Sequence, residues 1–149
     1  GRGQALFEEM VQPLCAPALL RNKAVPLRQP ADLARHTLLS VEAPAGFAIT
    51  SDWDPWLQVM GLQDMRIRNT MHFTQYADAV AAAVAGQGVL IGRLPLLQAL
   101  VNDRKLVAPF RTGAAATRRG YYLEVAAHAD HNADAQDFAR WLRAEAERP

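Results

Sequence analysis

The chain has 149 residues, half of them hydrophobic, and a formal net charge of +1. That length suits one ordinary domain or two small lobes, and the composition excludes a wholly disordered chain. The near-neutral charge argues against a broad nucleic-acid footprint, which needs a clustered basic face, and the single Cys15 excludes an intrachain disulfide.

Taken in order, Ala5–Cys15 reads as a strand with Glu8 and Glu9 outward and Cys15 as a buried thiol. Pro17–Leu20 makes a short helical turn. Leu27–Arg35 predicts a short helix, with Pro30 in a first turn where its missing N–H costs nothing. Thr37–Val41 is a strand and Pro44–Gly46 a turn. Ser51 or Asp52 suits the N-cap of a helix that carries Trp53, Trp56, Leu57 and Met60 on one stripe and ends at Gly61. Met65–Phe73 alternates apolar and polar positions, the period of a half-buried strand, here with Arg66 and Arg68 on its polar face. Thr74 then stands where the N-cap of the alanine-rich helix Tyr76–Ala85 belongs, and Gly86 or Gly88 ends that helix. Val89–Ile91 reads as a strand, Leu94–Val101 as a helix and Leu106–Phe110 as another strand. Arg111–Thr117 is a small, polar linker, and Gly120–Ala127 a strand. Asp134–Glu147 is an amphipathic helix with Phe138, Trp141, Leu142 and Ala146 on one stripe. Helix, glycine turn, strand, helix, strand is the rhythm of an α/β layer.

Enzymatic chemistry finds no support in these residues. Ser40, Thr50 and Ser51 lack a G-x-S-x-G elbow. His128 and His131 are spaced for one helix face but have no third ligand at a helical spacing, so a metal site is not expected. Gly86-x-Gly88 follows a helix, whereas a dinucleotide fingerprint follows a strand. No apolar run approaches the ~20 residues that span a bilayer, and the N-terminus carries no signal-peptide pattern. Gly1 reads as the start of a fragment. The informative junction is Met71–Gln75, where a strand passes into a helix. In open α/β sheets, ligands bind beyond the carboxyl ends of strands, and helix N-termini favour carboxylates. His72, Phe73, Thr74 and Gln75 are therefore candidate ligand contacts, with Arg93 reaching the same edge from beyond the next strand.

Several segments also carry a resemblance in order and spacing. They are Ala82-Ala83-Val84-Ala85-Gly86-Gln87-Gly88-Val89 and Leu106-Val107-Ala108-Pro109-Phe110. Around them stand Ala5-Leu6-Phe7-Glu8-Glu9, Pro13–Leu20, Pro30–Leu39, Asp54-Pro55-Trp56-Leu57, Gly120-Tyr121-Tyr122-Leu123 and Phe138-Ala139-Arg140-Trp141-Leu142. Together they resemble the effector-binding domain of LysR-type transcriptional regulators, in the subgroup related to the glycine-cleavage activator. The resemblance implies an α/β, periplasmic-binding-protein type 2-like fold, with a Rossmann-like lobe built on a mixed central sheet flanked by helices. On that pattern, residues 16–113 form lobe II, and residues 1–15 with 114–149 are the remnant of lobe I. The winged helix-turn-helix, the linker helix and the first part of lobe I are not matched.

The implied function is effector sensing and oligomerisation in a cytoplasmic regulator, with no catalysis and no cofactor. Its partners would be a polar or anionic metabolite and a second copy of the chain. Operator DNA would be reached only through an N-terminal domain outside this sequence. The rival expectations are a solute-binding protein serving a transporter, a prephenate-dehydratase-like lyase of the same fold, for which no matching motif is found, and a module serving only in assembly.

Overall fold

The computed structural model describes residues 3–42 and 52–148, with the backbone alone described for 116–119. The expected Pro44–Gly46 turn and any cap by Ser51 lie outside the described residues. The elements run β1 (Gln4–Leu14), α1 (Pro17–Arg21), a 3₁₀ turn (Pro30–Arg35), β2 (Thr37–Val41), α2 (Trp53–Val59), β3 (Asn69–Phe73), α3 (Tyr76–Val84), β4 (Val89–Leu94), α4 (Gln98–Asn102), β5 (Ala115–Leu123), a second 3₁₀ turn (Ala127–Ala129) and α5 (Ala133–Ala146). The chain divides into two compact units. One is Val11–Ala115; the other joins Gly1–Met10 to Ala116–Pro149.

The Val11–Ala115 unit is an α/β layer with strand order β3-β2-β4-β1. β2 pairs in parallel with β3, setting Val41 opposite Phe73, and in parallel with β4, setting Leu39 opposite Leu90. Alternation along the strands sends side chains to two faces. On one face Leu38, Val89 and Ile91 pack with Trp53, Trp56 and Leu57 of α2. On the other, Leu39, Leu90 and Leu14 pack with Ala79, Ala82 and Ala83 of α3. The alanines let α3 lie close to the sheet. Its end is a Schellman turn: Gly86 takes φ +80, Gln87 N–H donates to Ala82 and Gly86 N–H to Ala83.

Several expectations are corrected. The strand predicted over Met65–Phe73 is only Asn69–Phe73, because β3 is an edge strand and Met65 and Ile67 instead pack into the α2-side core from a loop. β4 continues to Leu94, so Arg93 lies within the strand and not after it; Pro95 disfavours helical backbone at the residue before it. The expected strand Leu106–Phe110 reduces to one antiparallel bridge between Val107 and Cys15, since Pro109 has no N–H to extend a ladder. Leu27–Arg35 is helical only from Pro30, and there as a 3₁₀ turn whose Asp32 carboxylate accepts from the Arg28 and Gln29 N–H groups. β5 begins at Ala115, inside the expected linker.

In the other unit, Phe7 and Tyr121 rings meet at 4.6 Å, and the Tyr121 hydroxyl donates to Glu9 at 3.3 Å. Glu9, expected outward, is 4% exposed. Asn132 caps α5 by accepting from Ala135 N–H. The predicted α5 stripe is present but uncovered: Phe138 and Trp141 stack at 5.8 Å while remaining 59% and 56% exposed, and Ala139 is buried instead. Helical spacing identifies an apolar stripe; it does not supply the surface that covers it.

The α2-side core is tied down by two indole hydrogen bonds. Trp53 donates to the Leu39 carbonyl at 3.0 Å and Trp56 to the Gly113 carbonyl at 2.7 Å. Gly113 has φ +104, and a Cβ there would stand 3.0 Å from Trp56 Cζ2. Gly113→Ala is expected to cost about 2 kcal/mol, for the left-handed backbone and the contact with the indole together. Denaturant unfolding followed by tryptophan fluorescence measures it, and a loss near zero would show that the turn relaxes freely.

Cys15 is fully buried, and burial pushes its thiol from 9.0 up to about 12. Below pH 9 the thiol is protonated in both folded and unfolded chains. Between 9 and about 12 only the unfolded thiol ionises, so stability falls as pH rises. The stability advantage of the native chain over Cys15→Ala should therefore be constant below pH 9 and shrink above it in paired unfolding curves.

Candidate functional site

Parallel pairing brings the carboxyl ends of β2, β3 and β4 to one edge of the Val11–Ala115 unit. The polar residues gathered there come from four places: Glu42 after β2, His72 to Gln75 at the β3–α3 junction, Arg93 in β4 and Asp52 at the start of α2. They form two clusters. His72 lies on β3 and Arg93 on β4, with β2 between, so their strands stand two spacings apart, roughly 10 Å.

The first cluster is exposed. Glu42 N–H donates to the Phe73 carbonyl at 3.0 Å, extending the β2–β3 ladder by one residue. Its carboxylate stands 2.8 Å from His72 Nδ1, with both side chains more than half exposed. Solvent screens such a pair, so it orients His72 more than it stabilises the fold. Phe73 is partly buried and packs against the α3-side core. Thr74 and Gln75 are exposed. The N-cap of α3 is Gln75 and not Thr74, and its side chain makes no capping hydrogen bond. The first turn of α3 therefore presents backbone N–H groups without a side-chain cap, which favours negative charge.

The second cluster is partly buried and tightly connected. Positions 89 and 91 of β4 face α2, and by alternation 93 does too. The Arg93 guanidinium reaches Asp52 with Nη2 to Oδ1 at 2.8 Å, and the two side chains are 21% and 16% exposed. Tyr76, the first residue of α3, secures the same point from the other helix. Its hydroxyl donates to the Ile91 carbonyl at 2.9 Å and accepts from the Arg93 N–H at 3.0 Å. Its ring centroid lies 5.8 Å from the guanidinium carbon, within cation–π range. Arg93 is thus held by the residue that precedes α2 and by the first residue of α3.

Of the five residues singled out from the sequence, the structure sets His72, Phe73, Thr74 and Gln75 along one strand-to-helix turn and joins Arg93 to it through Tyr76. Sequence reasoning passed over Glu42, Tyr76 and Asp52 as site residues. Asp52 was seen only as a cap, and it makes no side-chain capping bond. Tyr76 carried a usable signal: it is the one large polar aromatic in an alanine-rich helix, at its first position. Among the described residues no group of three or more His, Cys, Asp or Glu could hold a metal ion, and no helix is long and apolar enough to cross a membrane. A separate open cleft of about 480 Å³, lined by Leu20, Leu27, Arg28, Phe110 and Arg111 among others, includes none of the carboxyl-edge residues.

Comparison with known proteins gives this edge a context. A family model described as LysR substrate binding domain matches residues 2–147. The chain is 29% identical over 150 residues to the glycine cleavage system transcriptional activator of Escherichia coli K12, covering 97% of this chain and 45% of that protein. It is 28% identical over 131 residues to the HTH-type transcriptional activator AmpR of Enterobacter cloacae, covering 87% of this chain and 41% of that protein. Among solved structures, the effector domain of the transcriptional regulator AmpR of Pseudomonas aeruginosa superposes with a TM-score of 0.66 at 26% identity. That match covers 97% of this chain and 64% of that domain. The chain thus spans less than half the length of the two activators. These relatives are transcriptional regulators, not enzymes.

The Asp52–Arg93 pair is expected to contribute measurably to stability because it is mostly shielded. Asp52→Asn and Arg93→Met should each cost about 1–2 kcal/mol, and the double variant less than the sum. A double-mutant cycle in urea unfolding measures the coupling, and strict additivity would show that the contact contributes nothing to the fold.

Proposed function

Because this chain belongs to the LysR substrate-binding-domain family, matched over residues 2–147, we propose that it is the effector-sensing and oligomerisation portion of a LysR-type transcriptional regulator. On this reading residues 16–113 are lobe II of the effector domain, and residues 1–15 with 114–149 belong to lobe I. The effector is a polar or anionic metabolite that contacts His72, Phe73, Thr74, Gln75 and Arg93. The observation that carries the reading is the uncapped first turn of α3 at the carboxyl edge, flanked by exposed Thr74 and Gln75 and secured to Arg93 through Tyr76. Backbone N–H groups and a held guanidinium suit an anionic group.

The longer regulator acts in the cytoplasm as a homo-oligomer and meets operator DNA through its N-terminal domain. An effector shifts such a regulator only by its difference in affinity between two arrangements, so the contacts at this edge must change between them. A transporter's solute-binding protein would share the fold, but the regulators matched above favour transcription.

Thr74 gives the cleanest test, because its side chain is exposed and is not the N-cap of α3. In the full-length regulator, Thr74→Ala is expected to raise the effector concentration for half-maximal reporter response roughly five- to tenfold, the value of one hydrogen bond. The melting temperature should not change. An unaltered response curve would remove Thr74 from the site.

A further inference from the structure

The open cleft of about 480 Å³ on the Val11–Ala115 unit shares no residue with the carboxyl edge. Its volume falls within the roughly 300–1,000 Å³ of small-molecule sites. Two stretches distant in sequence wall it: residues 27–30, which lead into the first 3₁₀ turn, and residues 109–112, which lead to Gly113. The last turn of α1 adds Leu20.

The groups in these walls select one kind of ligand. Leu27 and Phe110 are core residues, 3% and 7% exposed, and Leu20 beside them is 42% exposed, so the cleft has an apolar surface. Each long wall also carries an exposed arginine, Arg28 on one and Arg111 on the other. Neither has an ion pair among the described residues, and no Asp or Glu lines the cleft. Asp32, the acid nearest Arg28 in sequence, spends its carboxylate on the Arg28 and Gln29 N–H groups at 2.9 and 3.1 Å. Two unmatched positive charges on one cleft attract an anion, and the apolar surface rewards a hydrophobic body. An inorganic anion would leave that surface wet, and a neutral apolar molecule would leave both arginines unmatched.

Both walls are fixed without using the arginine side chains. The Asp32 bonds hold the backbone of one. The other is held from before by the two backbone bonds between Cys15 and Val107, at 3.0 and 2.8 Å, and from behind by the Trp56 indole on the Gly113 carbonyl. A cleft with walls already in place loses little on binding. Phe110 stacks on Trp56 at 6.4 Å, so the indole senses an occupant that touches Phe110.

We propose that this cleft is a second ligand site, for a small organic carboxylate with an apolar body. The carboxylate is met by Arg28 and Arg111, and the body lies on Leu20, Leu27 and Phe110. The inference does not depend on the carboxyl edge being the effector site.

The test uses 3-phenylpropionate, with propionate as the same charge without the ring and 3-phenylpropanamide as the ring without the charge. Each is titrated into the 149-residue chain at constant ionic strength, following the Arg28 and Arg111 side-chain nitrogens and the Trp56 indole by NMR. Phenylpropionate is expected to move all three saturably, at concentrations at least about tenfold below either control. Arg28→Gln and Arg111→Gln should each weaken it about three- to tenfold with an unchanged melting temperature, since both side chains are exposed and the contact is partly screened. Leu20→Asn should erase the preference for phenylpropionate over propionate. If propionate matches phenylpropionate in the native chain, the arginines make only loose surface contacts with anions and the inference fails. It fails equally if the amide matches phenylpropionate, or if both arginine variants bind as the native chain does. If the same resonances shift with protein concentration and phenylpropionate leaves them unmoved, a second copy covers the cleft and the small-carboxylate site is overturned.

Discussion

The alternation of β4 is the constraint on which the Val11–Ala115 unit depends. Val89 and Ile91 face α2, and Leu90 faces α3, so a single strand supplies the floor of both cores. The same period sets the direction of Arg93. A shift of one residue would move both aliphatic sets to the wrong face and turn Arg93 away from Asp52. β2 obeys the same rule with Leu38 and Leu39, and because it pairs in parallel with β3 and β4 on its two sides, three carboxyl ends finish at one edge. The candidate site is therefore a consequence of how the core is packed.

The helices then anchor what the strands aim. α2 is short, and propensity alone would not hold seven residues in a helix. Burial of Trp53, Trp56 and Leu57 holds it, and the two indole N–H groups find backbone carbonyls, as buried donors must. Asp52 inherits its position from those tryptophans. α3 is held differently: its alanines permit close approach to the sheet, and Tyr76 stitches its first turn to β4. Two helices of different construction converge on one arginine, and the edge can therefore hold charge without losing its geometry.

The unit built from the two ends of the chain rests on much less. Among its described residues Ala139 is the buried hydrophobic one, while Tyr122, Phe138 and Trp141 stay in solvent. Two stacked rings on a fourteen-residue helix form an apolar surface that ordinary soluble domains seldom leave open. The stabilising burial of this chain is concentrated instead between Leu14 and Phe110.

Local chemistry made much of this legible from the residues alone. The Trp53, Trp56, Leu57 stripe, the Gly86 helix end, the buried Cys15 and the α/β rhythm of Tyr76–Phe110 follow from spacing, from the absent Cβ of glycine and from apolarity, none of which needs a partner to be recognised. The ordered segments from Ala5 to Leu142 likewise carried the family resemblance. Tertiary structure alone decided where strands stop, because an edge position shortened β3 and Pro109 reduced an apolar run to a single bridge. It alone decided that Phe138 and Trp141 stay exposed while Glu9 is buried. It also decided that Arg93 pairs with Asp52, 41 residues away. Periodicity says which face of an element a side chain occupies, but the identity of the group opposite depends on how distant segments pack, and a charge's chemistry is set by that group.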